Sequence, residues 1–151
     1  MAQSLCKIYI HLIFHIKTTS PEIRDNDLEN VFSYIGKMIN VTGCSVIRVG
    51  GIGNHIHILF LLSKDVSIPK VVEKVKSNSS RWIKTIDLYY SNFAWQSGYG
   101  AFSVSQSVVD RTIKYIESQQ HHHKAQSFNE EYLKYLQSYG IQYDERYLFS
   151  D

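Results

Sequence analysis

Two places in the chain bring together side chains that can do chemistry. The first is His55-Ile56-His57. Residues two apart on a strand project from the same face, so both imidazoles point one way while Ile56 and Ile58 point the other. Two imidazoles side by side can hold one divalent metal ion. A lone His-x-His more often only decorates a sheet. Here, however, the strand directly follows the turn cluster Gly50-Gly51-Ile52-Gly53-Asn54, where a site can open to solvent. The second place is Tyr115-Ile116-Glu117-Ser118-Gln119. At helical spacing Tyr115 and Gln119 share one face a turn apart, and Arg111 extends the stripe. Gln119 is thus a candidate third ligand, although a tyrosine with a carboxamide one turn on is by itself ordinary surface.

The hydrophobic pattern supplies a scaffold for these residues. Leu5–Lys17 alternates and is rich in Ile, Tyr and Phe, as a strand requires. After the start signal Ser20-Pro21, Asp25–Thr42 repeats Leu28, Val31, Phe32, Ile35 and Ile39 at helical spacing and stops at Gly43. Cys44–Val49 and His55–Leu62 read as a hairpin around the glycine cluster. A second helix runs from about Ile68 to Ile86, its apolar face formed by Val71, Val72, Val75, Trp82 and Ile83 among others. Asp87–Gly100 is aromatic and irregular. A short strand, Ala101–Ser105, is followed by a third helix over Val108–Gln120 and a fourth over Phe128–Tyr139. Strand, helix, strand, strand, helix, strand is the ferredoxin-like (RRM-like) order. It predicts an α+β fold with one antiparallel sheet, two helices on one face, and extra helices after the fourth strand.

The length of 151 residues fits one domain spanning 1–151, with a C-terminal extension from about 128. Such a chain buries roughly 68–70% of its unfolded surface and needs no staples. Cys6 and Cys44 have no metal-type spacing and read as reduced core thiols. No apolar run approaches the ~20 residues of a membrane span and no signal-peptide pattern is present, so a cytoplasmic protein is expected. A formal charge of +2 permits nucleic-acid binding without arguing for it.

Taken together, the two signals resemble a known family. The run Gly51-Ile52-Gly53-Asn54-His55-Ile56-His57-Ile58-Leu59, followed some sixty residues later by Tyr115-Ile116-Glu117-Ser118-Gln119, is similar to the single-tyrosine His-hydrophobic-His transposases of small insertion sequences that move as single strands, and to their repeat-associated relatives. The likeness extends to Tyr34-Ile35-Gly36, to Val75–Trp82, to Trp95–Val104 and to Tyr139–Tyr147. Two places depart from the family's usual pattern. Asn54 stands where an Asp often precedes the first His, and Thr18-Thr19-Ser20 follows Lys17 where basic residues are usual.

The resemblance implies a DNA transposase in which Tyr115 attacks a phosphate of single-stranded DNA, leaving a 5′-phosphotyrosine and a free 3′-hydroxyl. It also implies a divalent metal, magnesium or manganese, at His55, His57 and Gln119, hairpin-ended DNA, and a homodimer in which Tyr115 serves either its own subunit or the other. Ser103–Ser107 would be the flexible arm for the second arrangement. Candidate DNA contacts are Lys70, Lys74, Arg81 and Lys84 on a stripe of the second helix, with Lys76, Arg48 and Arg111; each reads equally as solvated surface. Trp95 and Tyr99 could stack on bases, though packing is the commoner use. His11 and His15 share a strand face and either lie near the metal or pair across the sheet, the second being favoured; His121-His122-His123 reads as a polar helix end. The rival readings are another nicking endonuclease of the same chemistry, a non-catalytic ferredoxin-like nucleic-acid-binding module, and a decayed transposase.

Overall fold

Every residue of the first strand is buried, including both of its histidines, because the sheet it belongs to is covered on both faces. A computed structural model describes residues 2–122 and 126–150, without the side chains of residues 121 and 122. Four strands, β1 (Tyr9–His15), β2 (Ser45–Ile52), β3 (His55–Leu61) and β4 (Gly100–Val104), form one antiparallel sheet in the order β2-β3-β1-β4. This is the ferredoxin-like topology expected from the order of elements.

Alternation divides the sheet. Ile10, Leu12 and Phe14 of β1 and Ile56, Ile58 and Phe60 of β3 point into the main apolar core. That core is closed by α1 (Leu28–Val41) and α2 (Ile68–Ile83), which contribute Val31, Ile35, Ile39, Val71, Val75 and Ile83. Ser67 caps α2 by accepting the Lys70 N–H, and Pro69 sits in its first turn, where a missing N–H costs nothing. The loop before β4 is pinned to α2. Trp95 Nε1 donates to Ser79 Oγ at 3.0 Å, and Lys76 Nζ donates to the carbonyls of Gln96 and Gly98 at 2.7 and 2.6 Å. Trp95 is therefore core rather than a stacking platform. Burial lowers the Lys76 ammonium to about 8.

The second face of the sheet lies under α3 (Val109–Glu117), α4 (Gln119–His122) and α5 (Phe128–Ser138), with α6 (Glu145–Leu148) in the tail. Ile116 of α3 packs on Tyr9 and Leu59. Phe128, Tyr132 and Leu136 of α5 pack on Ile13 and Phe102. Among the described residues no helix is long and apolar enough to cross a membrane.

The structure corrects three boundaries. The expected helix 108–120 breaks at Ser118, so Gln119 begins a separate short helix rather than extending the helix of Tyr115. Ser103–Ser107 is not a loose arm: β4 runs to Val104, a 3-10 turn follows at Gln106–Val108, and Tyr9 Oη donates to Gln106 Oε1 at 2.9 Å. Gly50 and Gly51 belong to β2, where they pair with His57 and Ile56, and not to the turn. Their glycine character serves close approach instead. A Cβ on Gly50 would lie 2.5 Å from the Ile116 carbonyl oxygen and 2.7 Å from its Cγ2, while Gly51 adopts φ +146° with its missing Cβ aimed at the His55 carbonyl. The bare backbone of Gly50 lets α3 settle directly on the sheet edge, while that of Gly51 lets β2 lie close against β3.

Gly50→Ala is accordingly expected to lift α3 and to destabilise the protein by about 1–3 kcal/mol, the usual range for overpacking. Gly36→Ala is the control. Its Cβ would meet Val46 at an ordinary 3.6 Å, and replacing glycine inside α1 should stabilise by up to ~1 kcal/mol. Urea unfolding of the two variants checks both directions.

Candidate active site

The period of two that buries Ile56 and Ile58 against α1 and α2 turns His55 and His57 to the opposite face, where both are fully buried. The register of β3 with β1 places His15 opposite His55, and it brings His11 diagonally against His57. His11 Nε2 and His57 Nδ1 are 2.8 Å apart. The Nδ1 of His55 lies 2.8 Å from Asn54 Oδ1. With the Nδ1 side of each ring so occupied, both Nε2 atoms face the helices above.

Those helices supply oxygen. Glu131, in the first turn of α5, places Oε1 at 3.1 Å from His57 Nε2 and 3.6 Å from His55 Nε2. Its other oxygen, Oε2, accepts a hydrogen bond from the Tyr115 hydroxyl and another from Gln119 Nε2 at 3.3 Å. Gln119 Oε1 lies 3.0 Å from His55 Nε2. His55, His57, Gln119, Glu131 and His11 are all at most 2% exposed. A sheet face would ordinarily bury apolar side chains, and a dry cluster of this polarity is costly unless each group is paired. Here each is.

The electrostatics follow from that pairing. Burial alone would raise the Glu131 carboxyl, but the hydrogen bond and charge of His57, with help from Tyr115 and His55, outweigh it and bring the carboxyl down to about 2. Burial, and then the carboxylate beside it, holds the Tyr115 phenol well above its ordinary range. Burial, then the charge of His57, lowers His11 well below the usual imidazole value. The cluster therefore contains a fixed anion, a protonated tyrosine bound to it, and a neutral His11.

This donor set fits a divalent cation. The ligating atoms of His55, His57 and Glu131 lie within 4.8 Å of one another, and Gln119 adds a fourth oxygen. Two imidazole nitrogens with hard oxygens suit manganese or magnesium. Beside the cluster a cavity of about 300 Å³ is lined by Tyr115, Gln126, Glu131, Lys134, Tyr135 and Ser138, giving the tyrosine an opening to solvent with a cation on its rim.

His55, His57, Tyr115 and Gln119, singled out from spacing and resemblance, thus come together at one point. The basic candidates do not. Lys70, Lys74, Arg81 and Lys84 are exposed on α2, in the layer on the far side of the sheet. Lys76 is held by its two carbonyls. Arg48 lines a hollow with Gly50, Gly51 and Glu117 on the outer strand, and Arg111 is exposed on α3. His15 bonds main-chain carbonyls of Ile16 and Leu148. The His121-His122-His123 run lies outside the residues whose side chains are described. Glu131 went unread in the sequence. An acidic pair in a helix's first turn, Glu130-Glu131, is the ordinary way to complement the helix dipole, so its spacing carried no signal.

The sequence matches the family model described as Transposase IS200 like over residues 4–119, a segment that ends at Gln119 and stops short of Glu131. The fold is similar to that of a protein described as a transposase from Deinococcus radiodurans R1, with a TM-score of 0.60 and 19% identity over 79% of this chain and 98% of that one. It is also similar to a REP-associated tyrosine transposase bound to a REP hairpin, with a TM-score of 0.56 and 11% identity over 77% of this chain and 68% of that one. At these identities the likeness is one of fold. No curated protein matches the sequence.

The depressed Glu131 carboxyl makes a pH prediction. Because its folded value lies below its ordinary 4.5, its contribution to stability is present above about 4.5 and is lost as pH falls towards about 2. The stability gap between the metal-free wild type and Glu131→Gln should therefore be widest near neutrality and close across that acid window. Thermal unfolding of both proteins at stepped pH measures it.

Proposed function

The chain belongs to the IS200-like transposase family, and from that premise we propose that it cuts and rejoins single-stranded DNA through a phosphotyrosine formed on Tyr115. The observation that carries this reading is the shared carboxylate. One oxygen of Glu131 faces the Nε2 atoms of His55 and His57, and the other accepts the Tyr115 hydroxyl. The hydroxyl bonded to that carboxylate thus stands beside a set of ligands suited to a phosphate-activating cation.

In the proposed step Tyr115 Oη attacks the phosphorus of one phosphodiester. The bond from phosphorus to the 3′ oxygen breaks, a 5′-phosphotyrosine forms, and the 3′ oxygen leaves as a hydroxyl. Glu131 Oε2, the acceptor for the phenol, holds that hydroxyl in place. The phenol's proton leaves to solvent through the opening beside Tyr115, and the departing 3′ oxygen takes one proton up from solvent. The phosphotyrosine keeps the energy of the broken diester, so a 3′-hydroxyl of another strand can reverse the step without a nucleotide cofactor. A magnesium or manganese ion bound by His55, His57, Glu131 and Gln119 would polarise the phosphate and offset the charge developing on it. Lys134, on the rim of the opening, and Arg111 and Lys114 on α3 are cations on the same side as Tyr115 and suit the DNA backbone. The α2 stripe of Lys70, Lys74, Arg81 and Lys84 would meet DNA only away from the cut.

The substrate is proposed to be hairpin-ended, by extension from the relative bound to a REP hairpin. Residues 1–151 are proposed to act as one catalytic unit, working as a homodimer. Within a single chain Tyr115 already stands over its own His57, with ring centroids 5.7 Å apart, which favours use of the tyrosine in cis in this state.

The test is a cleavage assay on single-stranded oligonucleotides carrying palindromes that flank the gene, with manganese or magnesium. Wild type is expected to form a covalent protein–DNA adduct that disappears with chelator and in Tyr115→Phe. An adduct that persists in Tyr115→Phe would move the nucleophile to another tyrosine. Tight binding without any adduct would reduce the protein to a DNA-binding module.

A further inference from the structure

Of the buried polar groups in the cluster, His11 is the one for which the proposed reaction has no use. It sits in the middle of β1, 2% exposed, on the sheet face that carries His55 and His57. Its Nε2 is 2.8 Å from Nδ1 of His57, and its ring packs edge-on against Tyr135 at 5.2 Å between centroids. A hydrogen bond between two imidazole nitrogens needs one N–H and one lone pair. The bond therefore ties the tautomer of one ring to that of the other.

We propose that His11 is a positioning residue for the metal site, accepting the Nδ1–H of His57 so that the Nε2 lone pair of His57 is presented to the cation. The proposal rests on the reading of His57 as a ligand and adds a residue to it. The argument is one of proton bookkeeping around the ring. For His57 to ligate through Nε2, which faces Glu131, Nε2 must carry no proton, so the neutral ring must be protonated at Nδ1. A buried Nδ1–H requires an acceptor, and His11 Nε2 is the atom there. His55 has the same arrangement in simpler form, with Asn54 Oδ1 facing its Nδ1. The two rings are thereby turned with matching faces, Nδ1 toward an acceptor and Nε2 toward the shared carboxylate. Residues in such roles commonly change metal affinity by about 10–100-fold when removed.

A purely structural role predicts something different. If His11 only filled space between β1 and α5, an aromatic ring of similar size would serve, and a flexible polar chain would not. The positioning role predicts the reverse order. Phe keeps the shape and removes the acceptor, whereas the carboxamide oxygen of Gln can reach the place of the imidazole Nε2.

The experiment is Mn²⁺ titration of the intact, DNA-free protein, followed by calorimetry and by the paramagnetic resonance signal of free Mn²⁺. Wild type, His11→Phe, His11→Gln and the ligand control His57→Ala are compared after circular dichroism has shown each to be folded. His11→Phe is expected to weaken binding by about 10–100-fold, with His11→Gln remaining near wild type. In the magnesium-loaded wild type, ¹⁵N spectra of the imidazoles should show the proton of His57 on Nδ1 and none on the Nε2 of His11. Wild-type affinity in His11→Phe, or a proton found on His11 Nε2 in the loaded protein, would overturn the proposal while leaving the metal site intact. If wild type and His57→Ala bind Mn²⁺ equally, the metal reading itself fails and His11 has no ligand to position.

Discussion

The structure turns on one buried anion. Glu131 lies in a dry space between the sheet and its outer helices, and a carboxylate in such a place is tolerated only if its oxygens are fully hydrogen-bonded and its charge is met. Its partners come from three separate elements: His57 and His55 from β3, Tyr115 from α3, and Gln119 from α4. The same pairing that makes the anion affordable thus fixes where α3, α4 and α5 stand on the sheet. Apolar contacts flank this centre on both sides, Ile116 with Leu59 and Tyr9, and Tyr132 with Ile13 and Phe102. They hold the helices down, while the polar centre sets their register.

A sheet with two covered faces permits this arrangement. The face toward α1 and α2 is uninterrupted apolar core, and it supplies the hydrophobic burial on which the stability of a small domain depends. The opposite face can then give up apolar area to five polar side chains. Close approach completes the geometry. Because Gly50 has no Cβ, the backbone of Ile116 reaches the edge of β2, and Tyr115, the next residue back along α3, arrives over His57. A glycine on the outer strand is therefore part of how the tyrosine is aimed, although it touches none of the reacting groups.

Local pattern made much of this legible. The alternation of β3 is a property of the chain itself, so the common face of His55 and His57, and the burial of Ile56 and Ile58 on the other, could be read directly. The order of the four strands and of α1 and α2 followed from periodicity in the same way. The glycine cluster was half misread, because a glycine needed for a turn and a glycine needed for close packing look alike until the packing partner is known. The helix of Tyr115 and Gln119 was read as continuous, since nothing in Ile116–Gln119 marks the break at Ser118. Both residues still reach the site, Gln119 through a separate helix whose carboxamide faces His55.

What no local pattern carried is the pairing of distant elements. Glu131 stands 74 residues from His57 and 46 residues separate His57 from His11; neither distance is a period of any helix or strand. The cations of α2 were visible as a stripe, but which side of the sheet they occupied depended on how the helix layers closed. The sequence by itself determined the fold class and the paired imidazoles, because those are written in spacings of two to four residues, and it pointed to the tyrosine only through its resemblance to a family. Only the tertiary structure decided the carboxylate that joins them and the histidine behind them, because long-range hydrogen bonds are selected by packing and leave no periodic trace.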